Sequence, residues 1–467
     1  MKILRLALLV AILLFTGKLH SQSISPIDSS FLNLSYKLTQ TALADTFGYN
    51  LLRELCAFGG RLSGSNNLLK AEDYLLKTMS GMGFDTVYTQ TFTTTNWQRG
   101  KVEKFILRGK NSGSNVNFNV AALGGSVGTN GLLRADIIEI SDFDELEHRK
   151  DEINGKIVFF NFEFNQKVYD SFSSYGPAVN FRVNGAHRAA KYGAVAVLIR
   201  SVASNFDDVP HTGTLRYIDS IPKIPGASLG VRGAVFLSEL LKKRAMGEIT
   251  QPLLFEMELD CKTEGTCEVK NLIAEIWGSE KKNEVIVVGA HLDAWDKGEG
   301  AHDDGAGCVQ SIEVLQLIKK MGIKPKRTIR AVLFANEENG LAGARGYAKL
   351  TQEDIKKHYA AIESDRGGFV PRGFTADASP EVISKMTSWL PYFTMTGIEW
   401  FKKGGGGADI SQIKGSNALI GFYPDSQRYF DVHHSENDVF SSVNHRELEL
   451  GSASITILTL LLSEFGL

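Results

Sequence analysis

GAHLDAWDKGEGAHDDGAG (residues 289–307) and RAVLFANEENG (330–340) are the stretches on which the reading of this chain turns. Each belongs to an apolar run that stops abruptly. EVIVVGA (284–290) delivers His291 and Asp293, and RTIRAVLFA (327–335) delivers Glu337 and Glu338. A third run, AAIES (360–364), ends at Asp365. Helical spacing fills the gaps, from Asp304 to Met321 and near Leu341–Leu350. Continuous apolar strands alternating with helices argue for a sheet covered on both faces. The expected fold class is therefore α/β, with a mostly parallel mixed sheet flanked by helices. Ligands in such sheets bind beyond the carboxyl ends of the strands, which places all three motifs on one rim.

The residues on that rim are the donors a zinc-type cation takes, imidazole and carboxylate on rigid supports. Taken singly, each has a plain explanation. A lone His-x-Asp is more often a core histidine than a ligand, one Asp of Asp303–Asp304 suffices to cap the following helix, and a Glu-Glu pair is usually a solvated turn. Their co-occurrence, extended by His433 and His434 in DVHHSENDVF (431–440), points instead to a metal site. On a strand, adjacent residues face opposite ways. Glu337 and Glu338 are accordingly expected to divide their roles, one binding metal and one serving as base.

The 467 residues carry a net charge of −2, and 43% are hydrophobic, which allows two or three domains and leaves no basic footprint for nucleic acid or an anionic membrane. Lys2 and Arg5 precede an apolar segment, Leu6–Phe15, and small or polar residues around Ser21. That is the layout of a secretory signal peptide over residues 1–21, and it is too short for a span. The expected product is secreted or periplasmic, without a membrane anchor. Cys56, Cys261, Cys267 and Cys308 are too few for a disulfide framework, although Cys261 and Cys267 are close enough in sequence to close a small loop.

Upstream, helical spacing covers Ser30 to about Met82, broken by GGRLSGS (59–65), and strand-like alternation follows in Thr86–Thr95 and Lys104–Arg108. Val120 to Glu258 reads as a unit of its own. Its strands are placed at Ala135–Glu139, Gly155–Phe160, Val195–Ile199 and Leu253–Met257, and its helices at Ala186–Lys191 and Ala234–Arg244. It lacks any metal-type cluster. CKTEGTC (261–267) reads as the hinge back to the sheet, and Ile455–Leu462 as a core helix.

In combination these motifs resemble the co-catalytic zinc exopeptidases, a family of aminopeptidases and glutamate carboxypeptidases, and most of all its plasma glutamate carboxypeptidase branch. The likeness spans nearly the whole chain after residue 21. It rests on FGGRLSGSNNLLKA (58–71), WQRGK (97–101), LGGSVGT (123–129), RSVAS (200–204), PHTG (210–213) and IPKIP (221–225), followed by HLDAWD, DDGAG, EEN, ESD and HHS. The resemblance implies two Zn2+ per subunit, with His291 and Asp365 on one ion, Glu338 and His434 on the other, and Asp303 bridging them. It implies Glu337 as general base, Asp293 as the residue orienting His291, small peptides with free termini as substrates, and a homodimer. His302 and His433 are left beside the ligands. The middle unit would be an inserted protease-associated α/β domain, giving residues 22–117 and 265–467 to the peptidase domain and 118–264 to the insert. Arg366 departs from the relatives, which have a small residue after the ligand Asp. With Gly404–Gly407 and Asp409 it bears on specificity.

Other readings of the sequence compete with this one. Gly124, Gly125, Ser126, Val127 and Gly128 match the GxSxG elbow of serine hydrolases, but TNGLLRADIIEI (129–140) does not read as the helix an elbow must enter. A catalytically silent binding protein would have lost ligands, and none is missing here. A glutaminyl cyclase on the same fold would use one zinc and would lack the insert. A broader aminopeptidase remains open.

Overall fold

The structure is a computed structural model that describes residues 27–109, 114–350 and 358–467. The signal peptide expected over residues 1–21 lies outside the described residues. Along the central sheet the strands run in the order Thr86–Gln98, Lys262–Ile276, Arg327–Phe334, Lys281–His291, His358–Glu363, Leu419–Pro424, Pro371–Asp377 and Trp400–Lys403. The strands from Arg327–Phe334 to Leu419–Pro424 pair in parallel, and antiparallel pairings lie toward both edges. The sheet is therefore mixed, with a parallel centre.

The central strand shows why its sequence is apolar throughout. Ile286, Val288 and Ala290 belong to one core cluster, with the helices Asn66–Gly81, Ala306–Lys320 and His445–Glu464. Val285 and Val287 face the other way, against Ala344 and Tyr347 of Ala342–Leu350. Each side chain buried this way contributes about 1.5–3 kcal/mol, and alternation along the strand supplies both layers. Register then aligns the strand ends: His291 lies opposite Phe334, and Gly289 opposite Glu363. Thus the segments carrying Asp293, Glu337, Glu338 and Asp365 emerge side by side.

Two smaller sheets make up the middle of the chain. One orders Val116–Phe118, Glu103–Arg108, Leu254–Leu259 and Leu133–Ala135, and the other orders Val120–Ala122, Gly226–Leu229, Ala196–Arg200, Ile157–Phe160 and Ile137–Ile140. Glu103–Arg108 pairs with Leu254–Leu259, so sheet pairing begins the middle unit upstream of residue 118. At its far end CKTEGTC is no hinge. Lys262–Ile276 is one strand along Thr86–Gln98, and a boundary at 264/265 would cut it. An extended segment of this length holds Cys261 and Cys267 about 20 Å apart, and both are free thiols. The helix expected at Ala186–Lys191 begins at Phe172 instead. Ser, Gly and Pro177 in its first half conceal it from a propensity reading. Among the described residues no helix is long and apolar enough to cross a membrane, and Ile455–Leu462 is buried in His445–Glu464.

Candidate metal centre

His291, the last residue of its strand, is held by two contacts. Its backbone N–H donates to Asp304 Oδ2 at 3.1 Å, and its Nδ1 lies 2.9 Å from the carbonyl oxygen of Asp293. A ring with Nδ1 so occupied presents Nε2 as its lone pair. The Asp293 carboxylate is not the group in contact: its Oδ1 is 4.0 Å from Nδ1. It accepts instead from the backbone N–H groups of Glu337 at 2.9 Å and Glu338 at 3.3 Å. Asp293 therefore positions His291 through its backbone and the Glu337–Glu338 segment through its side chain.

That segment is not strand. The strand stops at Phe334, and Asn336 takes a left-handed φ of 64°. Glu337 and Glu338 occupy a turn, so strand alternation does not apply to them and both line the same cavity.

Asp303 and Asp304, joined by a cis peptide bond, part company in function. Asp304 takes the plain structural role, accepting from Gly307 at the start of the Ala306–Lys320 helix as well as from His291. Gly307 is needed there: a Cβ would fall 2.0 Å from the Ser364 carbonyl oxygen. Asp303 points into the rim. Its Oδ1 lies 3.2 Å from His291 Nε2, and its Oδ2 lies 3.2 Å from His434 Nε2. Asp365 Oδ1 is 3.4 Å from His291 Nε2, and Glu338 Oε2 is 3.0 Å from His434 Nε2. Asp438, the later acid whose spacing selects His434 over His433 by family likeness but to which the sequence assigned no role of its own, fixes this arrangement by accepting from the N–H groups of His302 and Asp303 at 2.7 and 3.1 Å.

These spacings fit a cation. Tetrahedral zinc with bonds of about 2.0–2.2 Å sets its ligand atoms roughly 3.3 Å apart. His291, Asp303 and Asp365 bring one donor atom each within 4.8 Å of one another as one group, and Asp303 with His433 and His434 as a second. His433 stacks on His434 with ring centroids 3.5 Å apart and brings Nε2 within 3.7 Å of Asp303 Oδ2, farther than Glu338 stands from His434. Buried oxygens without partners, Asp303 Oδ2 and Glu338 Oε1, are what a positive ion would satisfy. Protons report the same crowding of charge. Burial, reinforced by Asp365, Glu338 and Asp293, pushes the Glu337 carboxyl well above its ordinary range. Against the cost of burial, Asp365 and Asp303 hold the His291 imidazole well above its own.

The middle unit reaches this rim, although its sequence shows no metal motif. Thr212 donates its N–H to the His434 carbonyl at 2.9 Å and holds that residue in its left-handed backbone, φ 59°. Its own carbonyl lies 3.3 Å from His434 Nδ1, and Thr214 Oγ1 donates to the Glu338 carbonyl at 2.6 Å. Phe172, Tyr175 and Arg182 close a cavity of about 330 Å³ over the centre, opposite Arg366 and Gly406–Ala408. PHTG (210–213) was the available sequence signal. The GxSxG match carries no nucleophile: Ser126 is buried, its Oγ donates to the Val127 carbonyl and accepts from Gly226 N–H, and no helix follows it.

Comparison with known proteins bears on this centre. Residues 271–449 match the model of "Peptidase family M28". Carboxypeptidase Q of Xenopus laevis is 34% identical over 87% of this chain and 83% of its own length, and that of Homo sapiens is 34% identical over 85% and 80%. The crystal structure of a peptidase M28 precursor from Shewanella amazonensis superposes with a TM-score of 0.87 at 31% identity, covering 93% of this chain and 97% of that one. A zinc aminopeptidase from Bacillus subtilis shares the fold at 18% identity, with a TM-score of 0.61 over 87% and 93%. The chain belongs to peptidase family M28 and is a zinc metallopeptidase.

Proposed function

We propose that this protein is an exported dinuclear zinc exopeptidase that cleaves dipeptides or short peptides with free termini. The observation that carries this reading is Asp303, whose two oxygens stand at equal distance from His291 on one side and His434 on the other. His291 and Asp365 would hold one ion and Glu338 and His434 the other, with Asp303 shared between the two positions. Glu338, 3.0 Å from His434 Nε2, takes the place in preference to His433 on the family likeness. Zinc in both positions supplies Lewis acidity toward the scissile carbonyl and lowers the pKa of water.

The chain's own residues do the rest. Glu337 lines the cavity beside the ligands without standing among them. A carboxyl whose affinity for protons is raised by burial suits a general base: it takes the proton of the attacking water and returns it to the leaving amine. Asp293 holds Glu337 in place through the turn N–H. The middle unit is a protease-associated-like insert that covers the substrate, and family likeness supplies the homodimer. Both carboxypeptidase and aminopeptidase occur among the relatives' names.

The test is Glu337→Gln. It removes a base and keeps every ligand, so zinc content stays at the wild-type value while turnover falls about 10²–10⁴-fold. Hydrolysis at the wild-type rate would refute the assignment.

A further inference from the structure

The middle unit turns toward the metal centre a guanidinium that has no anion. Arg182, on the Phe172–Ala190 helix, is 6% exposed. Its Nη2 donates to the Tyr175 hydroxyl at 3.1 Å, and its Nη1 lies 3.4 Å from the Thr212 carbonyl and 3.3 Å from His434 Nδ1. Its Nε has no partner, and no carboxylate pairs with it among the described residues. A buried charge in that condition is strongly disfavoured unless something else supplies the counter-charge.

The His434 contact weakens the case for internal pairing further. A ring that ligates through Nε2 carries its proton on Nδ1, where the Thr212 carbonyl accepts at 3.3 Å. An Nδ1–H cannot also accept from Arg182. The guanidinium is then left with a long contact to Thr212 and one hydroxyl. Room for it is built in: at Gly213, φ 131°, a Cβ would fall 2.4 Å from the guanidinium carbon. The glycine of PHTG thus serves the placement of Arg182.

A second cation lines the same cavity. Arg366 lies over the rings of Phe172 and Tyr423, at 5.5 and 4.8 Å, with Nη1 donating to the Phe422 carbonyl at 3.2 Å. The cavity's carboxylates, Asp303, Glu337, Glu338 and Asp365, all belong to the centre. The cations are therefore free to face the substrate.

We propose that Arg182, assisted by Arg366, receives the free α-carboxylate of the residue that follows the scissile bond. This rests on the peptidase reading above and adds to it the end of the substrate that is recognised. Arg182 stands one imidazole ring away from the His434 nitrogen that faces Asp303 and Glu338. A terminal carboxylate lies one residue, about 3.5 Å, beyond the attacked carbon, so both groups are reached by the same bound peptide. Guanidinium and carboxylate match in charge and in their paired hydrogen bonds. The enzyme then releases one residue from the carboxyl end, and a dipeptide fits the 330 Å³ cavity.

The experiment compares Ala-Leu, Ala-Leu-amide and N-acetyl-Ala-Leu as substrates of the zinc-loaded full chain. Wild type should prefer the free acid to the amide at least tenfold in kcat/KM. Arg182→Gln should lower kcat/KM for the acid about ten- to a hundredfold, chiefly through KM, and bring the acid-to-amide ratio toward one. Arg182→Lys should recover part of that ratio. Equal rates for acid and amide in wild type, or an equal fall for both in Arg182→Gln, would overturn the proposal. Should Arg182→Gln not fold, Arg366→Gln applies the same test on a half-buried side chain, and an unchanged ratio there overturns it. Cleavage of none of the three peptides would instead overturn the peptidase reading itself.

Discussion

The carboxylate of Asp293 accepts the backbone N–H of Glu337 at 2.9 Å, so the residue two positions after His291, whose carbonyl holds the His291 ring, also fixes the turn that presents the proposed base. Asn in its place offers one acceptor where the turn presents two N–H donors, and leaves a donor facing Glu338 N–H. The expected cost is about 1–3 kcal/mol in the placement of Glu337, roughly a ten- to hundredfold fall in kcat. Steady-state kinetics of Asp293→Asn, with zinc content measured alongside, checks this. Wild-type kcat would remove Asp293 from the machinery.

Arg99 ties the metal loop to the middle unit. Its guanidinium donates to Asp296 through Nε and Nη2, to Glu103 at 3.0 Å and to the Ala122 carbonyl at 2.5 Å, and it is 8% exposed. Removing one partner of a buried ion pair strands the others, at about 3–5 kcal/mol. Arg99→Met should lower the thermal midpoint by several degrees, whereas Lys104→Met, on an exposed pair, should leave it nearly unmoved. A loss at Arg99 no larger than that at Lys104 would contradict the clamp.

Glu313 and Glu449 form a carboxyl pair between the Ala306–Lys320 and His445–Glu464 helices, and Ser452 Oγ and Gly48 N–H donate to Glu313 at 2.5 and 3.0 Å. Burial, with Glu313 adjacent, pushes Glu449 up to about 10, and burial pushes Glu313 to about 7. Both folded values lie above the ordinary 4.5, so the folded state binds more protons than the unfolded one across that window. Stability is full below pH 4.5 and falls as pH rises through 7 toward 10, by up to about 1.4 kcal/mol per pH unit for each group while its folded form stays protonated. Glu449→Gln should therefore raise the thermal midpoint at pH 8 and change it little at pH 4.5. A shift of equal size at both would show that the pair does not titrate in this way.

The sheet and its rim were legible because each decisive strand is buried on both faces and must be apolar along its length, as in Val285–Ala290. His291, Glu338 and Asp365 end or closely follow those strands, whereas Asp303 and His434 come from the loops beyond them. The division between Asp303 and Asp304 was not legible from spacing, since it depends on a turn that gives one to the helix and the other to the rim. Nor was the Glu337–Glu338 turn, which hinges on the left-handed Asn336. Arg182 and Thr214 carried no signal of their own, and Thr212 only the PHTG motif, which did not say where it would lie. They belong to a unit remote in sequence, and only tertiary packing brings them to His434 and Glu338.

The role proposed for Asp303 is to join two metal positions. Zinc per chain, measured by mass spectrometry of the metal after dialysis against a trace of free zinc, tests it most directly when wild type and Asp303→Ala are compared. Two zinc ions are expected per wild-type chain, with a loss at both positions in the variant. A single ion in wild type, or an undiminished pair in Asp303→Ala, would contradict it.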